Sequence, residues 1–155
     1  MTPEEKVGYK NELFQVCVDI LQERIAVATM AMQNAQSAAN MEEKSSAGDK
    51  YETSRAMSHL EKDMYARQLA ANRLELAQLL TINCTRIHDT VAAGSLVQCE
   101  GVSFFIAAGL GKIMSRGKDI FLLSGHAPMA ISLMHKKPGE QIHFNGKVYE
   151  VLEVY

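Results

Sequence analysis

The sequence predicts an α+β chain: a long antiparallel α-helical hairpin followed by a small antiparallel β domain with one short helix. Three observations predict it. All ten glycines but two, Gly8 and Gly48, fall after residue 93. The first half is crowded instead with Ala, Leu, Met, Gln, Glu and Arg, which favour helix, whereas short apolar runs broken by glycine favour strands and turns. Near the C-terminus, Asn145-Gly146 separates two apolar runs. That pair suits a type I′ hairpin turn, whose two central residues both need positive φ.

The first helix is read from Lys10 to about Ala39. Its apolar residues recur at Leu13, Cys17, Leu21, Ile25, Ala28, Met32, Ala35 and Ala39, steps of three or four that stay on one helical face. A second helix runs from about Ala47 to Asn83. Its stripe is read through Met57, Leu60, Met64, Ala71 and Leu74, widened by Leu69, Leu76 and Leu80. Between the two lies Asn40-Met-Glu-Glu-Lys-Ser-Ser-Ala-Gly-Asp49, where Ser46 and Asp49 have the spacing of a capping box. Each helix of about thirty residues spans roughly 45 Å at 1.5 Å per residue, and so short a link turns the second back along the first. Residues 1–83 therefore form a helical hairpin with its tip at about 40–52. Leu and Ile near its base give way to Ala28, Ala31, Ala35, Ala38 and Ala39 toward the tip, which thins that end. A dimerising coiled coil or half-bundle satisfies the same periodicity.

Residues 84–155 form the β domain. After a connector from Cys84 to Gly94, strands are expected at Ser95–Cys99, Val102–Ala107, Lys118–Leu123, Gln141–Phe144 and Lys147–Val154. Gly109, Gly111 and Gly117 punctuate the gap before the third. The last strand is apolar on both faces, which predicts burial on both sides. Pro128–Lys136 reads as the short helix, with proline in its first turn and a stop at Pro138-Gly139.

Composition narrows the function classes. The chain has 155 residues, 47% apolar and 22% charged, a globular balance for one ordinary domain or two small ones. Sixteen basic against 18 acidic residues give a net charge of −2, unlike a protein held mainly by nucleic-acid phosphates; nucleic acid is expected only through a partner. Cys17, Cys84 and Cys99 form no CxxC pair, which predicts neither a disulfide framework nor a zinc site and points to a reducing, cytoplasmic compartment. Neither a signal peptide nor a membrane span is read at the N-terminus.

Chemistry-bearing motifs are sparse. His59, His88, His126, His135 and His143 lack HExxH spacing, and there is no GxSxG, P-loop or GxGxxG. Gly109-Leu-Gly111 reads as a turn, since a dinucleotide fingerprint needs a third glycine and a following helix. No enzyme active site or resident metal is expected. At the tip, Glu42, Glu43, Asp49 and Glu52 offer carboxylates of the kind hard divalent cations take. A solvated loop is the other reading, because Lys44 and Lys50 lie among them. Met41 is placed to be exposed at the tip, and Tyr51 to brace it.

Two C-terminal stretches carry a resemblance: Ser124-Gly-His-Ala-Pro-Met-Ala-Ile-Ser-Leu-Met-His-Lys-Lys-Pro-Gly139, and Asn145-Gly-Lys-Val-Tyr-Glu-Val-Leu-Glu-Val-Tyr155. Together with Gly48-Asp-Lys-Tyr-Glu-Thr-Ser-Arg55 at the start of the second helix, they resemble the bacterial Gre transcript-cleavage and elongation factors. The first two are similar to that family's Ser-Pro segment, short helix, Lys-x-x-Gly turn and closing Tyr-x-Val hairpin; the third is similar to its tip.

The resemblance implies an FKBP-like β domain that docks on RNA polymerase and a coiled-coil tip that enters the secondary channel. Partner-binding residues on this reading are Ser124, His126, Ala127, Pro128, Met129, Lys136, Lys137 and Tyr51. The family's tip carries Asp-x-x-Glu, which helps hold a second metal for RNA cleavage. Alignment on Tyr51 and Arg55 puts Lys44 and Ala47 at those positions, and His126-Ala127-Pro128 stands where the family's docking loop has an acid and a serine. The expectation is thus a monomeric, channel-occupying elongation regulator with no cofactor of its own beyond Mg2+ shared with the polymerase. Glu42, Glu43, Asp49 and Glu52 are the weak candidates for cleavage, and channel occlusion is favoured over cleavage. The competing reading is a homodimeric coiled-coil adaptor, joined through the Leu13–Met32 stripe, whose β domain binds a protein other than polymerase.

Overall fold

Helix α1 runs from Pro3 to Glu43 and α2 from Gly48 to Leu80. The structure, a computed structural model, describes the backbone of residues 1–43 and 48–155 and the side chains of 1–41 and 52–155. Helix α1 starts seven residues before Lys10 because its N-terminus is capped. The Thr2 amide donates to Glu5 Oε2 at 2.8 Å and the Glu5 amide to Thr2 Oγ1 at 3.1 Å. That reciprocal pair is a capping box, with Pro3 at the first helical position where its missing N–H costs nothing. The Ser46–Asp49 box lies outside the described residues.

The chain forms two compact units, one of residues 1–20 with 78–155 and one of residues 21–77. In the first, β1 (Leu96–Cys99), β2 (Val102–Ile106), β3 (Gly111–Ser115), β4 (Lys118–Leu123), β5 (Gln141–Phe144) and β6 (Lys147–Val154) make a six-stranded sheet in the order β3-β4-β2-β1-β6-β5. Helix α3 spans Pro128–Leu133.

The sheet is not wholly antiparallel, because β2 and β4 pair in parallel from Ser103–Ile120 to Ile106–Leu123. The expected gap between them is strand β3. The chain reverses after β2 and again at Arg116-Gly117, so β4 returns in the direction of β2 and β3 is left at the edge. Both turn residues have positive φ, 51° and 75°, the requirement of a type I′ hairpin. Asn145-Gly146 adopts the same form, at 49° and 75°.

The core of this unit gathers Val97, Phe104, Ile106, Leu133, Ile142 and Val151, among others. Phe104 stacks on Phe121 at 5.8 Å and meets Tyr149 edge-on at 5.7 Å. Strand β6 is not buried on both sides, contrary to its apolar pattern. Val151 and Val154 enter the same core cluster across a register shift opposite Gln98 and Cys99, but Val148 and Leu152 are 55% and 54% exposed. Helix α3 is also shorter than expected: His135 takes a left-handed φ of 66°, which no helix continues, and its amide turns to Val91 O at 2.9 Å.

In the second unit, α1 and α2 form a hairpin-like pair. Among the described residues, those buried from α1 are Leu21, Ala28, Ala35 and Ala39, and from α2 Ser58 and Leu69. The expected α2 stripe faces outward. Met57, Leu60, Met64 and Leu74 are all exposed, and so is Ala71. An alanine-lined helix admits a close neighbour, and small residues such as Ser58 fit there where long methionines would hold the backbones apart. Leu13, Cys17, Leu21 and Ala28 of the α1 stripe are buried within the chain itself.

Candidate functional site

The segment singled out for partner binding is built on α3. Ala127 precedes the helix in extended geometry, with φ −63° and ψ 143° and no side-chain cap. Pro128 then opens it, and the Ile131 amide donates to Ala127 O at 2.9 Å. Ahead of it, the His126 amide donates to Ser124 Oγ at 3.3 Å. Met129, Ala130 and Leu133 face inward and are buried. Met129 therefore serves the core, with Ala127 packed against the same cluster.

The outward face carries His126, Pro128, His135 and Lys137, all exposed, with Ser124 and Lys136 half-buried. At its centre is Ile131, 63% exposed. The sequence reading did not select Ile131, although its place two residues from Met129 and Leu133 signals the opposite face of the helix.

Hydrogen bonds fix this segment to the connector at Val91 and to strand β6. Val91 N donates to Lys136 O and His135 N to Val91 O, each at 2.9 Å. Lys137 N donates to Glu140 Oε2 at 2.6 Å, and Gly139 N to Val151 O at 2.7 Å. The result is an apolar centre with histidine and lysine side chains beside it, on a backbone held at several points. Such a surface can dock on a protein, with the cations meeting acidic groups.

A second cluster lies at the base of α1, within the same unit. Lys10 is fully buried, and its Nζ donates to Arg86 O at 2.6 Å. Burial pulls its ammonium down to about 8, partly opposed by Cys84. The Cys17 thiol is pushed up to about 12, mainly by burial and then by Cys84, and burial raises Cys84 as well. His88 Nε2 is buried without a hydrogen-bond partner among the described residues. Burial first, then Lys10 and Arg86, lower the His88 pKa. Thiols raised this far stay protonated at neutral pH and are poor nucleophiles, so the cluster anchors α1 to the connector. Lys10 lies three residues before Leu13, in phase with the apolar stripe; that phase is the signal that could have marked it as buried.

Arg116 was also missed. Its guanidinium grips Glu12 at 2.8 and 2.9 Å and lies 4.3 Å from the centre of the Tyr9 ring. Tyr9 in turn donates to Ser115 Oγ at 3.1 Å. These contacts hold the β3–β4 turn against the first turns of α1. Nearby, Lys6 pairs with Glu153 at 2.5 Å and lies 5.0 Å from the centre of the Tyr155 ring.

An open cavity of about 560 Å³ lies between the β1–β2 and β3–β4 turns, lined by Cys99, Glu100, Met114, Lys118, Asp119 and Leu152 among others. Burial raises the Cys99 thiol to about 11, so it offers no thiolate near neutral pH.

Of the tip residues, Glu52 is exposed and Met41 is 74% exposed. The side chains of Glu42, Glu43, Asp49 and Tyr51 lie outside those described. Among the described residues no group of three or more His, Cys, Asp or Glu is placed to hold a metal ion, and no helix is long and apolar enough to cross a membrane. No family model, curated protein or solved structure matches the chain.

Proposed function

We propose that this chain is a Gre-like regulator of bacterial transcription elongation, with an FKBP-like second half that docks on RNA polymerase and a helical pair whose tip enters the secondary channel. The observation that carries this reading is the coincidence of motif and element. The Ser124–Gly139 stretch forms a loop, the short helix α3 and a braced turn, with α3 at Pro128–Leu133. The Asn145–Tyr155 stretch forms the turn and second strand of the β5–β6 hairpin, paired from Phe144–Lys147 to Gln141–Glu150. The exposed Ile131 with His126, His135 and Lys137 supplies a docking face of suitable chemistry.

On this reading the chain has no active site of its own. Glu42, Glu43, Asp49 and Glu52 lie at the tip in place of the family's acidic pair, where Lys44 and Ala47 stand. Occlusion of the channel is therefore the favoured action, with any cleavage performed by the polymerase and its own Mg2+.

The test is a binding titration of the full chain against bacterial core RNA polymerase, with RNA cleavage followed in a backtracked complex. Binding that is lost in Ile131→Glu but kept in a Glu42, Glu43, Asp49 triple alanine variant supports the division between docking face and tip. Cleavage abolished by the triple variant would assign the chemistry to those acids. Absence of binding by the wild-type chain overturns the proposal.

A further inference from the structure

Four large apolar side chains stand on the outer face of α2: Met57, Leu60, Met64 and Leu74, exposed by 57%, 63%, 40% and 61%. With Arg67 and Ala71, also exposed, they occupy positions 57, 60, 64, 67, 71 and 74. Those alternating steps of three and four form the seam of a coiled coil. At about 100° per residue the stripe is centred roughly 160° around the helix from the buried face of Ser58 and Leu69. The second unit thus has one seam used within the chain and a second with no partner among the described residues.

The residues along this second seam specify its occupant. Arg67 places a cation within an otherwise apolar row. Two parallel copies in register would set Arg67 against Arg67, which a desolvated seam does not tolerate. An antiparallel pairing about a two-fold axis between positions 65 and 66 removes that conflict. It sets Met57 against the partner's Leu74, Leu60 against the partner's Ala71 and Met64 against the partner's Arg67. Large residues then face small or flexible ones, and the aliphatic stem of Arg67 covers methionine while its head turns outward. In the same register the partner's Asp63 lies within reach of that guanidinium. Glu61 and Asp63 themselves lie beside the partner's Gln68 and Ala70, so no two acids meet. The stripe is complementary to itself in charge and in size, as an isologous contact requires.

We infer that the chain forms an antiparallel homodimer through the Met57–Leu74 face of α2. The seam spans eighteen residues, about 27 Å of helix, and an interface of that length lies near the lower limit of roughly 1,000 Å² for specific association. The dimer is therefore reversible. It covers the flank of the hairpin, so the dimer and the channel-bound form are mutually exclusive if the proposed function holds. The inference itself does not rest on that reading.

Sedimentation equilibrium of the full chain, from about 1 to about 300 µM to bracket an interface of this size, tests it without polymerase. A monomer–dimer equilibrium is expected, weakened at least tenfold by Leu60→Glu and by Arg67→Glu. Both positions are exposed, and circular dichroism should show unchanged helix content. The exchanged variant Asp63→Arg with Arg67→Asp should recover the dimer, which a nonspecific apolar contact would not do. A chain that is monomeric throughout the range, or a dimer indifferent to these substitutions, overturns the inference.

Discussion

The two units bury their apolar residues by different rules. In the unit containing the sheet, both faces of strands β2 and β4 are covered: Phe105 and Leu122 are fully buried on one face, and Ile106 and Leu133 on the other. In the unit of residues 21–77, two helices cover only one face of each other. The covered face of α2 holds Ser58 and Leu69, while Met57, Leu60 and Leu74 remain outside. Hydrophobicity identifies the core where many elements converge. In a two-helix pair, fit decides which face is covered, and the most apolar face can be the uncovered one.

Paired truncations sharpen that contrast most strongly. Leu133→Ala should lose about 3–4 kcal/mol in urea unfolding, because the residue is fully buried and leaves a cavity among rigid neighbours. Leu60→Ala, at an exposed site, should change stability by no more than about 0.5 kcal/mol when measured at low micromolar concentration. A large loss at Leu60 would return the seam to the face that the sequence pattern favours.

Next in size is Gly94→Ala. Gly94 has a φ of +87°, and a Cβ there would lie 2.8 Å from Asn83 O and 2.9 Å from Ile82 Cγ2. The backbone conformation and the clash together should cost about 2–3 kcal/mol, read as a lower midpoint in urea. A neutral result would mean that the connector gives way easily and is not part of the rigid sheet unit.

A smaller, pH-dependent effect comes from Lys10. Its folded pKa of about 8 lies below the ordinary value of 10.5, so between those values the unfolded chain holds more protons. Stability then rises with pH. The three cysteines oppose it from about pH 8, because their folded pKa values are raised and the unfolded thiols ionise first. From pH 8 to 9 the two effects are of similar size, about 1 kcal/mol each, so the wild type should stay nearly flat. Lys10→Met keeps only the opposing thiols and should lose about 1 kcal/mol over the same window in denaturant titrations. The same slope in both proteins would place the titration elsewhere.

The smallest expected effect is at Arg116, which combines a left-handed φ of 51° with its grip on Glu12 and Tyr9. Arg116→Gly relieves the backbone as it loses the side chain and should stay within about 0.5 kcal/mol of wild type. Arg116→Ala keeps the strain without the contacts and should lose about 1 kcal/mol in thermal unfolding. Equal losses would show that the turn carries no strain.

Much of the fold was legible in local chemistry. β4, β5 and β6 fall where dense apolar runs and Asn145-Gly146 put them, and Pro128 marks the start of α3. Strand β3 was not legible, since an edge strand with Lys112 and Met114 exposed has little hydrophobic pattern to show. For the candidate docking face, the sequence marked the segment but not its centre. Met129 was included although it points inward, and Ile131 was passed over although it points out, because side-chain direction depends on where α3 meets the sheet.

By itself, then, the sequence determined the class of each half, the two long helices and the turns whose residues require positive φ. Propensity, capping and turn chemistry act over a few residues, and their signals are complete within the chain segment that carries them. The tertiary structure alone decided which face of α2 is covered, that β2 and β4 run parallel, and that Lys10 is wholly buried. Each of those depends on residues distant in sequence: the alanines of α1, the extra reversal at Arg116-Gly117, and the Arg86 carbonyl that receives the Lys10 ammonium.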